Sequence, residues 1–115
     1  MILDKSDRSD ATQRKYQEAR QNNQLVGLEN EPPIVEYTHW KLIVNAYPYD
    51  KRWDQSLLLV SRYNQGWSNL SDAAIIELHK LKIRFKIVFD KIEENGNSMV
   101  SVQDIPHVHL LKGLK

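Results

Sequence analysis

The chain contains no cysteine, and what else it lacks is equally informative. The absence of cysteine excludes disulfides, thiol catalysis and cysteine-ligated zinc. Its 16 basic and 15 acidic residues leave a net charge of +1, so no strong field attracts nucleic acid or an anionic membrane. No apolar run approaches the roughly 20 residues of a membrane-spanning helix, and the N-terminus lacks the layout of a signal peptide. We therefore expect a soluble, cytoplasmic protein that binds neither membrane nor nucleic acid.

The remaining composition is typical of a globular protein. The chain has 115 residues, of which 41% are hydrophobic and 27% are charged. This length fits one domain, and a chain of this size buries enough surface on folding to form one core. The sequence predicts a single domain over residues 1–115. We expect residues 1–9 to be frayed, because they alternate in charge and carry little apolar material.

Two helices are predicted. Residues 11–22 are rich in helix formers and follow an Asp10–Gln13 capping arrangement, which predicts a short N-terminal helix. Ser71 is a good N-cap for the second helix. Apolar residues then recur every three or four positions on one face: Ile75, Leu78, Leu81, Phe85, Val88 and Ile92. The sequence predicts a long helix of about six turns that covers a sheet and ends at Asn95–Gly96.

Five segments are typical of strands, because they are short, apolar and rich in β-branched residues. They are residues 34–38, 40–45, 57–60, 99–102 and 107–111. The short connections between several of them favour antiparallel pairing. The predicted fold is therefore α+β, with an antiparallel sheet of about five strands, one long covering helix and the short N-terminal helix.

His107 and His109 carry the main chemical signal. Residues two apart in a strand point to the same face, with Cα atoms roughly 6.5 Å apart. Such a pair suits a histidine nucleophile beside a phosphate-binding histidine. It equally suits two ligands of a metal, although the candidates for a third ligand (His39, Asp50 and Asp54) qualify by residue type alone. A structural pair, hydrogen-bonded to backbone carbonyls, is the third interpretation.

From Trp40 to Leu111 the order of segments resembles the histidine-triad (HIT) family of nucleotide hydrolases and transferases. The segments WKLIVNAYPYD and SLLLVSRYNQGWSNLSD resemble its strands and the turn before its long helix, and IPHVHLLK resembles its histidine strand. The resemblance implies an antiparallel sheet with helices packed against it, and often a homodimer. It also implies that the central histidine of a triad attacks the α-phosphate of a small nucleotide. No metal and no cofactor take part in that chemistry.

The family motif has three histidines, whereas this chain offers two, so two alignments are open. In the first, His107 is the first histidine, His109 the nucleophile, and Leu111 replaces the third. In the second, Ile105 replaces the first histidine, His107 is the nucleophile and His109 the third. The second alignment also places Ser101 where some family branches use a serine to contact phosphate.

The resemblance places Asn45 where the family turns out of a strand toward the ribose. An amide there could hydrogen-bond sugar hydroxyls, or it could simply end the strand.

Two functions follow from the resemblance. The first is a nucleotide phosphohydrolase or nucleotidyltransferase that uses a histidine nucleophile at the α-phosphate. The second is a catalytically impaired relative that serves as a nucleotide-binding or interaction domain.

Overall fold

The computed structural model describes residues 5–22, 32–62, 66–94 and 105–115. Within these ranges the helices are α1 (Asp10–Gln21) and α2 (Asp72–Phe85), with short 3-10 turns at Lys5–Asp7 and Trp67–Asn69. The strands are β1 (Val35–Glu36), β2 (Trp40–Val44), β3 (Trp53–Ser61), β4 (Lys91–Glu94) and β5 (His107–Leu114). They form one sheet in the order β1-β2-β3-β5-β4, and all neighbours are antiparallel. The prediction of an α+β fold with an antiparallel sheet is confirmed. None of the helices in these ranges has the length and apolar character needed to cross a membrane.

The larger core lies between the sheet and α2. Alternation along the strands sends one set of side chains toward the helix. Leu59 of β3 and Val108 of β5 are register partners at the centre of this face, and both are fully buried. The side chains that α2 contributes to the same cluster are Leu78, Leu81 and Phe85. This packing fixes which face of β5 is apolar, and so which face carries its two histidines.

α2 begins where the sequence predicts but ends earlier. Ser71 is its N-cap and accepts a hydrogen bond from the Ala74 backbone N–H at 3.2 Å. The predicted extension through Ile92 is wrong, because the helix ends at Phe85 and residues 91–94 form β4. Ile92 pairs with Leu110 of β5 and still packs against the core cluster. The strand therefore buries the same apolar side chain that a longer helix would have buried, and it also pairs one edge of β5.

β4 is a strand that the sequence does not predict. The sequence indicated a strand at residues 99–102, which lie outside the described residues. The other four predicted strands overlap observed ones. β3 is longer than predicted, because it begins at Trp53, whose Cα pairs with that of Leu114.

The N-terminal helix is confirmed, with a different cap. Ser9 rather than Asp10 caps α1, because the Thr12 backbone N–H donates to Ser9 Oγ at 3.2 Å. Of residues 1–9, which were expected to be frayed, residues 1–4 lie outside the described residues and residues 5–9 are ordered. They begin with a 3-10 turn, and the Asp7 side chain is buried.

Asp50 holds the start of α1 against the loop between β2 and β3. Its carboxylate accepts hydrogen bonds from the Ser9 backbone N–H at 2.8 Å and from Thr12 Oγ1 at 2.7 Å. Ser9 Oγ lies within 3.1 Å of the same carboxylate. Desolvation raises the pKa of Asp50, but the hydrogen bonds from Ser9 and Thr12 outweigh it and hold the pKa below its ordinary value. Ionised Asp50 therefore favours the docked helix.

Replacing Asp50 with asparagine is expected to lower the free energy of unfolding by about 1–3 kcal/mol at neutral pH, because charge-assisted hydrogen bonds are lost. A depressed pKa stabilises the fold above the unfolded value of 3.8, and this stabilisation is lost as pH falls below it. Urea denaturation of both proteins at neutral and acid pH measures the difference. Asp54→Asn, which changes an exposed carboxylate nearby, is the control. Equal stability of Asp50→Asn and wild type at neutral pH would contradict this role.

Candidate functional site

His107 and His109 lie side by side on the sheet face opposite α2. Their register partners in β3 are Val60 and Leu58, which are buried in a second cluster on this face. The two imidazole centroids are 5.2 Å apart and the rings meet edge to face at 78°. Both side chains are half-buried. One ligand placed over either ring would therefore lie close to the other.

His107 is oriented by the backbone just before its strand. Its Nδ1 lies 2.9 Å from the carbonyl oxygen of Ile105. A carbonyl oxygen only accepts hydrogen bonds, so Nδ1 carries the proton in the neutral ring. In that neutral tautomer the lone pair is on Nε2, which is the nitrogen that would bind a metal or attack an electrophile.

His109 is held as a neutral ring. Burial, together with smaller electrostatic effects of His107 and Arg8, lowers its pKa to about 3. Its Nδ1 is buried and has no hydrogen-bond partner among the described residues. The edge of its ring meets Tyr49, with centroids 5.3 Å apart. His109 thus carries no charge at neutral pH, and its imidazolium form is not available there as an acid.

Arg8 links α1 to this site through stacked aromatic rings. Its guanidinium carbon lies 4.4 Å from the centroid of Tyr49 and 4.6 Å from that of Tyr16. Arg8 Nε also donates to the Tyr47 carbonyl oxygen at 2.9 Å. Burial raises the pKa of Tyr49, so its hydroxyl stays protonated. Neither Arg8 nor Tyr49 is predicted from the sequence as a site residue, and Arg8 falls in the segment expected to be frayed.

Charged residues of β4 lie beside the pair. Glu93 is the register partner of His109, and a 3.6 Å ion pair joins it to Lys91. Among the described residues, no three histidine, aspartate or glutamate side chains form a group suited to a metal ion. Asp50, one of the candidates for a third ligand, is instead hydrogen-bonded to the start of α1.

Asn45, the predicted ribose contact, lies away from the histidines. Asn45 follows directly after β2 and is buried, and its Oδ1 accepts a hydrogen bond from the Tyr47 backbone N–H at 2.9 Å. This is the bond of a turn residue. Because β3 separates β2 from β5, Asn45 lies at least roughly 10 Å from the histidine strand. Its contact with ribose stays a prediction. Ser101 lies outside the described residues, and so its contact with phosphate also stays a prediction.

Comparison with known proteins adds no family to this description. No protein-family model matches the chain, and a search of curated proteins finds no match either.

Proposed function

We propose that the protein acts on small nucleotides at the α-phosphate, as a phosphohydrolase or nucleotidyltransferase, with His107 as the nucleophile. The observation that carries this proposal is the 2.9 Å contact between His107 Nδ1 and the Ile105 carbonyl. In the neutral ring this contact favours the tautomer with its lone pair on Nε2, and it orients the ring, as a histidine nucleophile requires. The same contact favours the second alignment with the histidine triad, in which His107 is central.

The proposed reaction has two steps. In the first, Nε2 of His107 attacks the α-phosphorus, and the bond from phosphorus to the leaving group breaks with its electron pair on the leaving group. The ring gains positive charge, and the Ile105 carbonyl stabilises it through the retained Nδ1 proton. In the second, water or another phosphate attacks phosphorus and the phosphorus–nitrogen bond breaks. Water gives up a proton to solvent, and His107 returns to its neutral form.

His109 serves this reaction as an uncharged neighbour. A protonated ring 5.2 Å away would repel the positive charge that develops on His107 as it attacks. A neutral His109 can still donate a hydrogen bond from its ring N–H. Because its pKa is about 3, it does not protonate the leaving group at neutral pH. Substrates whose leaving group departs as a stable anion, such as a nucleoside phosphate, should therefore react faster than substrates whose leaving group must be protonated.

The test is turnover of a diadenosine polyphosphate and of an adenosine phosphoramidate. His107→Ala is expected to lower kcat/KM by on the order of a thousandfold or more, because the covalent route is removed. Acid quenching with labelled substrate should trap a nucleotidyl protein with wild type but not with this variant. His79→Ala, which removes an exposed histidine of α2, is the matched control. No turnover by wild type, or equal turnover by His107→Ala, would contradict the proposal.

The alternative function, nucleotide binding without turnover, is favoured by the low pKa of His109, since this ring supplies no acid to the leaving group. Calorimetry with nucleoside monophosphates separates the two functions. Binding that His107→Ala weakens, without product from any substrate, would assign the site to binding alone. Absence of both binding and turnover would leave the chain as an interaction domain.

A further inference from the structure

The guanidinium of Arg8 is held in place but uses few of its hydrogen-bond donors. Its central carbon lies 4.6 Å from the ring centroid of Tyr16 and 4.4 Å from that of Tyr49. Its Nε–H donates to the Tyr47 carbonyl oxygen at 2.9 Å, and Nη1 donates to Gln13 Oε1 at a long 3.4 Å. A guanidinium has five N–H groups. The other three therefore have no hydrogen-bond partner among the described residues.

No carboxylate of the described residues forms an ion pair with Arg8, although acidic side chains lie nearby. Asp7 precedes Arg8 in the chain, but it forms its ion pair with Arg52, at 3.4 Å. Glu93 is the register partner of His109, and it forms its ion pair with a lysine of its own strand, at 3.6 Å. Arg8 is thus a half-buried cation without a counter-charge of its own. Such a group favours an anion that accepts its remaining hydrogen bonds.

Tyr49 and His109 add two polar atoms beside the guanidinium. Tyr49 contacts both neighbours, because Arg8 stacks on its ring and the His109 ring meets it edge to face, with centroids 5.3 Å apart. The Tyr49 hydroxyl and His109 Nε2 have no hydrogen-bond partner within the part of the chain that the structure describes. Neither is among the buried atoms that lack a partner, so both atoms reach the surface of the protein.

These groups suit phosphate better than a carboxylate. The oxygens of a phosphate point in several directions from phosphorus, so one phosphate can accept hydrogen bonds from donors that lie on different sides of it. The planar fork of an arginine matches two of these oxygens at once. Stacking between Tyr16 and Tyr49 also orders the Arg8 side chain before any ligand binds, which lowers the entropic cost of binding.

We infer that Arg8, Tyr49 and His109 form a subsite for a phosphate group of a small phosphorylated ligand. The subsite extends the proposed site toward α1. Where His107 attacks the α-phosphate, the subsite holds a phosphate of the leaving group. Binding does not depend on that reaction: a chain that binds diphosphate through Arg8 but turns over no nucleotide has the subsite and lacks the proposed activity.

Isothermal titration calorimetry of the full chain with inorganic pyrophosphate tests the subsite. Wild type is expected to bind it. Arg8→Gln is expected to raise the dissociation constant at least about tenfold, because the charge and the open donors are removed. Arg14→Gln is the matched control, since Arg14 is an exposed arginine of α1. It should leave the dissociation constant within about twofold of wild type.

Two further measurements separate binding from damage to the fold. Tyr49→Phe keeps the ring on which Arg8 stacks and removes only the hydroxyl, so it should weaken pyrophosphate binding while the circular dichroism spectrum stays that of wild type. NMR of the arginine Nε–H signals in wild type should show a shift of the Arg8 signal on addition of pyrophosphate. The Arg14 signal should not move.

Titration with ADP, which carries the same diphosphate on a nucleoside, identifies the source of the phosphate. Tighter binding of ADP than of pyrophosphate identifies a nucleotide, and equal binding identifies the inorganic anion. Both results support the subsite if Arg8→Gln abolishes the binding. Failure of wild type to bind either compound would overturn the inference. So would binding that Arg8→Gln and Tyr49→Phe leave unchanged, or a pyrophosphate-induced shift of Arg14 as large as that of Arg8.

Discussion

Replacing Trp40 with alanine is expected to lower the free energy of unfolding by about 3–5 kcal/mol, the range for a buried aromatic residue. Trp40 is fully buried at the start of β2. Its indole N–H donates to the Ala74 carbonyl of α2 at 2.8 Å, and its ring lies 6.0 Å from that of Trp67. One side chain thus joins the sheet, the covering helix and the turn before it. Its truncation leaves a cavity among all three.

Urea denaturation of the purified variants measures this effect. Trp40→Phe is the informative comparison, because it keeps an aromatic ring and removes only the N–H donor and part of the volume. It should cost about 1–3 kcal/mol, between wild type and Trp40→Ala. A loss below about 1 kcal/mol in Trp40→Ala would show that the helix and sheet do not depend on this residue.

The parts of the fold that the sequence predicts correctly are those specified by neighbouring residues. β2 is a continuous run of strand formers, and the cap of α2 is a serine with its hydrogen bond three residues away. The position at which α2 ends is not determined by neighbouring residues. The period of the apolar residues continues to Ile92, but pairing with β5 converts residues 91–94 into a strand. A tertiary contact overrides the helical pattern at that point.

The candidate site also has one part that the sequence predicts and one part that depends on distant contacts. The spacing of His107 and His109 in a strand is enough to place both rings on one face. Their environments differ through contacts that spacing does not reveal. Arg8 reaches the site from a segment roughly a hundred residues earlier in the chain and stacks on Tyr49. No local pattern around Arg8 signals this contact, because its partners are aromatic rings distant in sequence.

The low pKa of His109 makes the stability of the folded protein depend on pH. The ordinary pKa of histidine is 6.5, and folding lowers that of His109 to about 3. Between these values the unfolded chain binds a proton that the folded chain does not, so stability falls as pH falls. The stabilisation is fully present above pH 6.5. Between pH 7 and pH 4.5 its loss is expected to reach about 2–3 kcal/mol.

His109→Leu isolates this contribution from that of the carboxylates. The variant has no group to protonate at this position, so its urea stability should fall less than that of wild type between pH 7 and pH 4.5. It also removes a buried Nδ1 that has no hydrogen-bond partner among the described residues, so little stability is lost at neutral pH. His79→Gln, at an exposed position, should retain the full pH dependence of wild type. If NMR shows the His109 ring titrating near pH 6.5, folding does not shift its pKa, and this contribution to the pH dependence of stability does not exist.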